Sequence, residues 1–260
     1  MNMYWIYDMP NWQFALLCIG FMVFFAVSGL MLFRGFIFKR IIPQAHNDVV
    51  SYFMSGMGAI YGITLGLIAV AAWETFSDVE DTVSKEASTL MALYNDVSTL
   101  SSPLGDSLKA QLKEYTHYTI HDAWPQQRQG IIPRGGTERL RHFYLTLLSC
   151  EPTTKIEEIL CAEAIRALNQ LFELRQMRLE KVKEGLPAAV WYVIFFGALL
   201  NIVITWFFVT DRFRVHILMT SKFAALLGSL IFLVAAMDNP FRGEFSVGSD
   251  ALELVLAKMK

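Results

Sequence analysis

Charge is scarce in this chain. Only 18% of its 260 residues are Asp, Glu, Lys or Arg, and a net charge of −2 leaves no basic field with which to hold nucleic acid. Catalytic and nucleotide-binding signatures are missing too: there is no GxGxxG or Walker-type loop, no nucleophile elbow and no HExxH helix. With no nucleophile–base pair and no convincing metal triad, the sequence reads as a non-enzyme without a cofactor or resident metal. The three cysteines, Cys18, Cys150 and Cys161, lack CxxC spacing, which excludes the usual zinc sites. Cys18 lies in an apolar run and reads as a small core residue. Cys150 and Cys161 could pair in an oxidising compartment, but spacing alone does not fix their distance. What is abundant is apolar. Hydrophobic residues make up 54% of the chain, a balance that excludes disorder and disfavours an ordinary soluble enzyme.

A bilayer core about 30 Å thick needs about 20 apolar helical residues to cross it. Four stretches meet that requirement: Trp12–Phe33, Ser51–Trp73, Ala188–Val209 and Val215–Met237. The first has no basic n-region and no small-x-small cleavage site, so it reads as a span and not as a signal peptide. Trp5, Tyr7 and Trp12 before it form an interfacial aromatic belt. The predicted organisation is a tail with two spans over residues 1–73, a soluble helical domain over 74–187, two further spans within 188–237, and a C-terminal tail over 238–260.

The second span runs without a breaker into the soluble domain, where Val79, Val83, Ala87, Leu90, Tyr94 and Val97 recur at helical spacing. Ser101-Ser102-Pro103 ends that helix. A second helix is expected from Leu104 to Ala123, stopping at Trp124-Pro125, and a third over Thr137–Ser149. Thr153 or Thr154 can cap a long helix reaching Glu184, with Ile156, Ile159, Leu160, Leu168, Leu171, Phe172 and Leu179 inward. Gly185-Leu186-Pro187 then breaks or kinks the chain. No β pattern competes, so the fold class is an all-α membrane protein with a helical domain between the second and third spans, both of which extend into it.

Small residues recur along the second span: Ser51, Ser55, Gly58 and Ala59, Gly62, Gly66, and Ala69 or Ala72. Small-xxx-small spacing lets membrane helices approach closely. It fits packing inside one subunit, which the residues alone favour, or a ring of helices around a pore. Beyond the span, Glu74, Asp78, Glu80 and Asp81 would form acidic rings in an oligomer, favouring cations, or simply a solvated helix start. His216 and Lys222 fall within two turns of the start of the fourth span, where Lys222 can snorkel to the interface. Glu114, His117 and His121 share a helix face with Asp122 adjacent, and read as solvated before they read as metal ligands.

Several of these features together resemble one family. Lys85-Glu86-Ala87 with Leu90 and Tyr94 is similar to the EA…L…Y helix of the bestrophin-like domain family of membrane proteins. Tyr115 with Trp124-Pro125, then Leu186-Pro187 and Trp191, continue the match. Asp238-Asn239-Pro240-Phe241-Arg242-Gly243 resembles its closing D-x-P-F-x-G signature. The resemblance covers roughly residues 12 to 250. The family is distantly similar to bestrophins, pentameric anion channels whose second span lines the pore. In bestrophins an N-P-F-G turn leads into an acidic calcium clasp. Here Arg242 precedes Gly243 and no acidic run follows, so the clasp does not carry over.

The resemblance therefore implies a homo-oligomer in the lipid bilayer, a pentamer, that passes small ions, anions by family. The expected pore-lining residues are Ser55, Gly58, Gly62, Ile63, Thr64, Gly66, Ala69 and Val70. Glu74, Asp78 and Asp81 would supply vestibule charge, and Asp238, Asn239, Pro240, Phe241 and Gly243 the turn after the last span. The alternative is a non-conducting scaffold or sensor whose soluble domain binds a partner. The expected location is a multi-pass position in the cell membrane, the inner one where there are two. Short-loop charge places the soluble domain outside, whereas Arg175, Arg178, Lys181 and Lys183 and the bestrophin resemblance place it in the cytoplasm.

Overall fold

The structure is a computed structural model and describes residues 7–37 and 46–259. Trp5 of the aromatic belt, and Lys39, Arg40 and Pro43 of the first loop, lie outside the described residues. Among the described residues the secondary structure is helical, and no strand is present. In chain order the helices are α1 (Asn11–Ile37), α2 (His46–Ser98), α3 (Leu104–Tyr118), a π-helical turn (Thr119–Ala123), α4 (Trp124–Arg128), α5 (Gly135–Leu148), α6 (Lys155–Lys181), α7 (Ala188–Thr205), α8 (Phe213–Met237) and α9 (Asp250–Lys258). Four of them, α1, α2, α7 and α8, are long and apolar enough to cross a membrane.

The chain divides into two compact units. The first comprises Met1–Glu74, Gly185–Asp238 and Gly243–Phe245. Its core joins Met22 and Ala26 of α1, Tyr61 and Leu65 of α2, Ile194, Ala198 and Ile202 of α7, and Ala224, Leu227 and Ile231 of α8. α8 approaches the backbone of α1 closely at Gly228. A Cβ there would lie 2.8 Å from the Ile19 Cα and 3.0 Å from the Cys18 carbonyl oxygen, so α1 and α8 meet where only glycine fits. Tyr61 fastens α2 to α7 by donating its hydroxyl hydrogen to the Ile194 carbonyl at 2.9 Å.

The second unit comprises Thr75–Glu184, Asn239–Arg242 and Ser246–Lys260. The α2 stripe Val79, Val83, Ala87, Leu90, Tyr94 and Val97 is buried, as its spacing predicts. Leu108, Leu112 and Tyr115 of α3, Leu140 and Phe143 of α5, and Leu252 and Val255 of α9 pack with it. α6 starts at an N-cap: Thr154 Oγ1 accepts from the Glu157 N–H at 3.1 Å, and Glu157 accepts from the Thr153 N–H at 2.8 Å. The Ser101 hydroxyl donates to the same carboxylate, and it, followed by the Thr153 bonds, holds the Glu157 pKa down to about 2. The support this cap gives is therefore complete above the ordinary glutamate range and lost as pH falls through about 2. Ser101→Ala should move the Glu157 titration midpoint upward in an NMR pH series. An unchanged midpoint would show that the Ser101 bond is not responsible.

Three local expectations need correction. Trp124-Pro125 does not stop the helix, because Pro125 occupies the first turn of α4, where no amide donor is required, and the π turn links α3 to α4. Ile156 and Ile159 point outward, at 71% and 54% exposure. The rest of the expected stripe is inward: Leu168, Leu171 and Leu179 are buried and Leu160 and Phe172 pack against the core, joined by Cys161, Ala164, Arg175 and Arg178. The third span does not extend into the soluble unit as one helix: α6 ends at Lys181 and α7 begins at Ala188, with Gly185 and Pro187 in the break. Only α2 is continuous.

Candidate functional site

α2 packs on one side only. Tyr61, Leu65 and Ala72 are buried, with Ile68 and Ala69 partly covered. Away from that face, Tyr52, Gly56, Ala59, Ile63, Gly66, Val70 and Glu74 follow at three- and four-residue steps, and all are exposed. A Cβ added at Gly56, Gly62 or Gly66 would meet nothing within 4 Å. Among the described residues, Gly56, Gly62 and Gly66 are thus not used for packing, in contrast to Gly228. The exposed side of α1 carries Trp12, Leu16, Phe21, Phe24 and Leu32, bulky groups suited to acyl chains. The exposed side of α2 mixes Gly56, Ala59, Gly62 and Gly66 with Tyr52, Phe53, Ile60, Ile63, Leu67, Val70 and Trp73; its small residues leave room for another helix to approach.

Of the residues expected to line a pore, Ile63, Gly66 and Val70 lie on this outward stripe, with Ser55 and Gly62 on its flank. Gly58 and Ala69 turn inward: Gly58 faces Asn201 Oδ1, 3.7 Å from its ideal Cβ, and Ala69 packs against the core. Thr64 is half-buried and donates its hydroxyl hydrogen to the Ile60 carbonyl of its own helix at 2.9 Å. Glu74 ends the stripe, and Asp78, Glu80 and Asp81 are exposed one to two turns further along the same helix.

At the end of α8, Asp238 accepts from the Leu186 N–H and fixes the entry to α7. Burial, offset in part by the Leu186 N–H and by bonds from Trp191 and Tyr7, raises the Asp238 carboxyl pKa. The Tyr7 hydroxyl also donates to the Ala235 carbonyl at 3.2 Å, and the Asn11 N–H donates to Glu244 at 2.9 Å. The turn itself is closed by Arg242 N–H to the Asn239 carbonyl at 3.0 Å and Val247 N–H to the Pro240 carbonyl at 2.8 Å. Phe241 is 1% exposed, its ring 5.6 Å from that of Trp124. Gly243 has φ +83°, and an alanine Cβ there would meet Tyr7 only at ordinary contact distance. Gly243→Ala should therefore cost about 1–2 kcal/mol through backbone conformation alone, measurable as a lowered Tm.

Sequence reasoning missed a buried ion pair in the second unit. Arg178 donates from Nε and Nη2 to both Glu86 oxygens, at 2.5 and 3.0 Å, and from Nη1 to Gln127 Oε1. Both ions are 1% exposed, and the guanidinium lies 5.1 Å from the Trp124 ring. Burial alone would lower the Arg178 pKa, but the facing carboxylate outweighs it and keeps the guanidinium charged. Tyr115, whose hydroxyl is 3.5 Å from Glu86, is pushed up to about 12 by burial and then by that carboxylate. The one legible signal was two arginines on an otherwise apolar stripe of α6.

Polar groups also line the first unit's interior. His216 Nε2 is 2.8 Å from the Thr205 carbonyl oxygen, and Asn201 and Thr220 are buried, whereas Lys222 is exposed. His117 and His121 are exposed with ring centroids 4.3 Å apart, but Glu114 pairs with Arg139 instead. No group of three or more metal-ligating side chains occurs among the described residues.

The bestrophin-like domain model matches residues 20–252. No curated protein matches the chain. Solved structures do. A bacterial bestrophin homolog from Klebsiella pneumoniae with a tyrosine-to-alanine substitution is 12% identical, with 95% of this chain and 97% of that one covered and a TM-score of 0.66. The structure of that homolog phased with zinc is 13% identical, with 95% and 97% covered and a TM-score of 0.65. A membrane protein with a proline-to-alanine substitution is 13% identical, with 96% and 99% covered and a TM-score of 0.67. At these identities the likeness is one of fold. The helical membrane-type architecture, the turn signature after α8 and the family match over most of the chain have one conclusion: this chain belongs to the bestrophin-like domain family.

Proposed function

We propose that the chain crosses the cell membrane four times and assembles as a homo-oligomer, five-fold by family, in which the outward face of α2 lines a passive pathway for small ions. The observation that carries this reading is the outward stripe of α2, where a Cβ at Gly56 or Gly66 meets nothing within 4 Å among the described residues. Copies of such a face can approach an axis closely, and glycine adds no bulk to the lumen. Ile63 and Val70 would then form successive apolar constrictions of the kind that gate by dewetting. Glu74, Asp78 and Asp81 would charge the mouth, and the Asp238–Gly243 turn would hold the α7 and α8 ends that brace α2.

Purified oligomer reconstituted in liposomes tests the proposal. Chloride flux above that of protein-free liposomes is expected, anions being what the resemblance to bestrophins implies. Potassium flux without chloride flux would assign the acidic mouth a cation-selecting role. No flux of either ion at any voltage, pH or calcium level would favour the scaffold or sensor.

A further inference from the structure

We propose that the helical unit built on residues 75–184 stands on the oxidising side of the membrane, opposite the two short loops, and that Cys150–Cys161 is its lasting disulfide. The assignment rests on the four-span reading above and not on conduction.

The first unit shows which helix ends belong together. Asn47 at the start of α2 exchanges two hydrogen bonds with Val209 beyond α7, at 2.7 and 2.8 Å. The Arg34 guanidinium at the end of α1 lies 4.4 Å from the Phe213 ring at the start of α8. Both short loops therefore leave from one end of this unit. The Tyr7–Ala235, Asn11–Glu244 and Leu186–Asp238 bonds gather the opposite helix ends. Within the second unit, Leu252 and Val255 of α9 are buried with the stripe that α2 carries beyond its span. The tail after α8 and the domain after α2 thus share one side, as an even number of crossings requires.

Charge says which side that is. The short-loop end carries Arg34, Lys39, Arg40, Arg212 and Arg214, against Asp48 and Asp211. Lys and Arg in short loops hold those loops in the cytoplasm, whereas segments much longer than about 60 residues translocate largely regardless of charge. The opposing cations before α7 belong to such a long segment, residues 75–184. Two of them are also committed to its interior: Arg178 to Glu86 and Arg175, 7% exposed, to Thr137 at 3.1 Å. Lys181 pairs with Glu184 at 2.7 Å.

Sulfur gives the same answer independently. The Cys150 and Cys161 Cα atoms are 6.7 Å apart, and the two side chains are joined as a disulfide that ties the end of α5 to α6. Such bonds persist in oxidising compartments and are kept reduced in the cytosol. The resemblance to bestrophins implies a cytosolic domain; the loops and the sulfurs here place it on the other face.

Two experiments on the full chain in its membrane test this. With Cys18→Ala, thiols are alkylated at lysis in denaturant, then reduced and mass-tagged with a maleimide polymer. Two tags per chain are expected after reduction and none before it. No tag after reduction, both thiols having been free and alkylated at lysis, would overturn the disulfide and the oxidising side. Separately, Lys113→Cys, Glu151→Cys or Asp211→Cys is introduced on a background of Cys18→Ala, Cys150→Ser and Cys161→Ser. A membrane-impermeant maleimide on intact cells should label K113C and E151C, and D211C only after permeabilisation. The reverse pattern would overturn the orientation. Labelling of all three from one side would instead overturn the four-span arrangement, and with it the orientation argued from it.

Discussion

Gly66→Leu is expected to bring ion flux down to the level of protein-free liposomes while leaving the chain folded and assembled. A Cβ at this position meets nothing within 4 Å, so the added side chain leaves the backbone into open space and not into the chain's own core. Removing a mid-helix glycine should even favour α2 locally, by up to about 1 kcal/mol. The harm arises only if Gly66 faces a lumen that several copies narrow at once, since each copy then adds four carbons to the same constriction. Gly62→Leu, on the flank of the stripe, should act in the same direction. Gly228→Leu is the contrasting control: it drives a side chain into the α1 backbone at Ile19 and Cys18, and should prevent folding instead of blocking flux. If Gly66→Leu assembles and conducts like the parent, the pore does not run along this face.

Arg178→Met should be the most destabilising single change in the second unit, costing about 3–5 kcal/mol. It leaves the Glu86 carboxylate 1% exposed with no cation, and Gln127 without the donor it faces. Met fills the volume and supplies none of those bonds. Removing both charges together, as Glu86→Leu with Arg178→Met, should recover much of the loss, because replacing a whole buried pair by apolar groups is often near neutral. Denaturant unfolding of the single and double variants in detergent measures both. A double variant no more stable than Arg178→Met would mean that packing around Trp124, and not the unpaired carboxylate, sets the cost.

These two predictions draw on features of different legibility. The α2 stripe from Val79 to Val97, the Thr154 cap, the burial of Phe241 and the positive φ of Gly243 are local patterns, and each is readable from a few neighbouring residues. The continuity of α2 was readable for a similar reason: nothing in the sequence after Trp73 breaks a helix. Register against distant partners was not readable. Glu86 and Arg178 are 92 positions apart, and no short-range rule joins them. Where the buried stripe of α6 begins depends on its distant neighbours, so at the helix start apolarity alone reads Ile156 and Ile159 as inward. Pro125 was taken as a stop because its alternative, the first turn of a new helix after a π turn, depends on packing that the local sequence does not show.

The same limit governed the second span. Its small residues were visible in the sequence and favoured packing inside one subunit. Which of them face inward depended on Tyr61 and Leu65 meeting α7. Once that contact fixes the phase, Gly58 and Ala69 turn toward the chain's own core, and Ile63, Gly66 and Val70 turn away from it.

A cysteine scan along residues 52–74, read as block of conductance by a water-soluble thiol reagent on a cysteine-free background, tests the central claim most directly. The outward face of α2 predicts block at Ala59, Ile63, Gly66 and Val70 and none at Tyr61, Leu65 or Ala72, a three- and four-residue rhythm. Block concentrated at Tyr61, Leu65 and Ala72, or spread without periodicity, would contradict it.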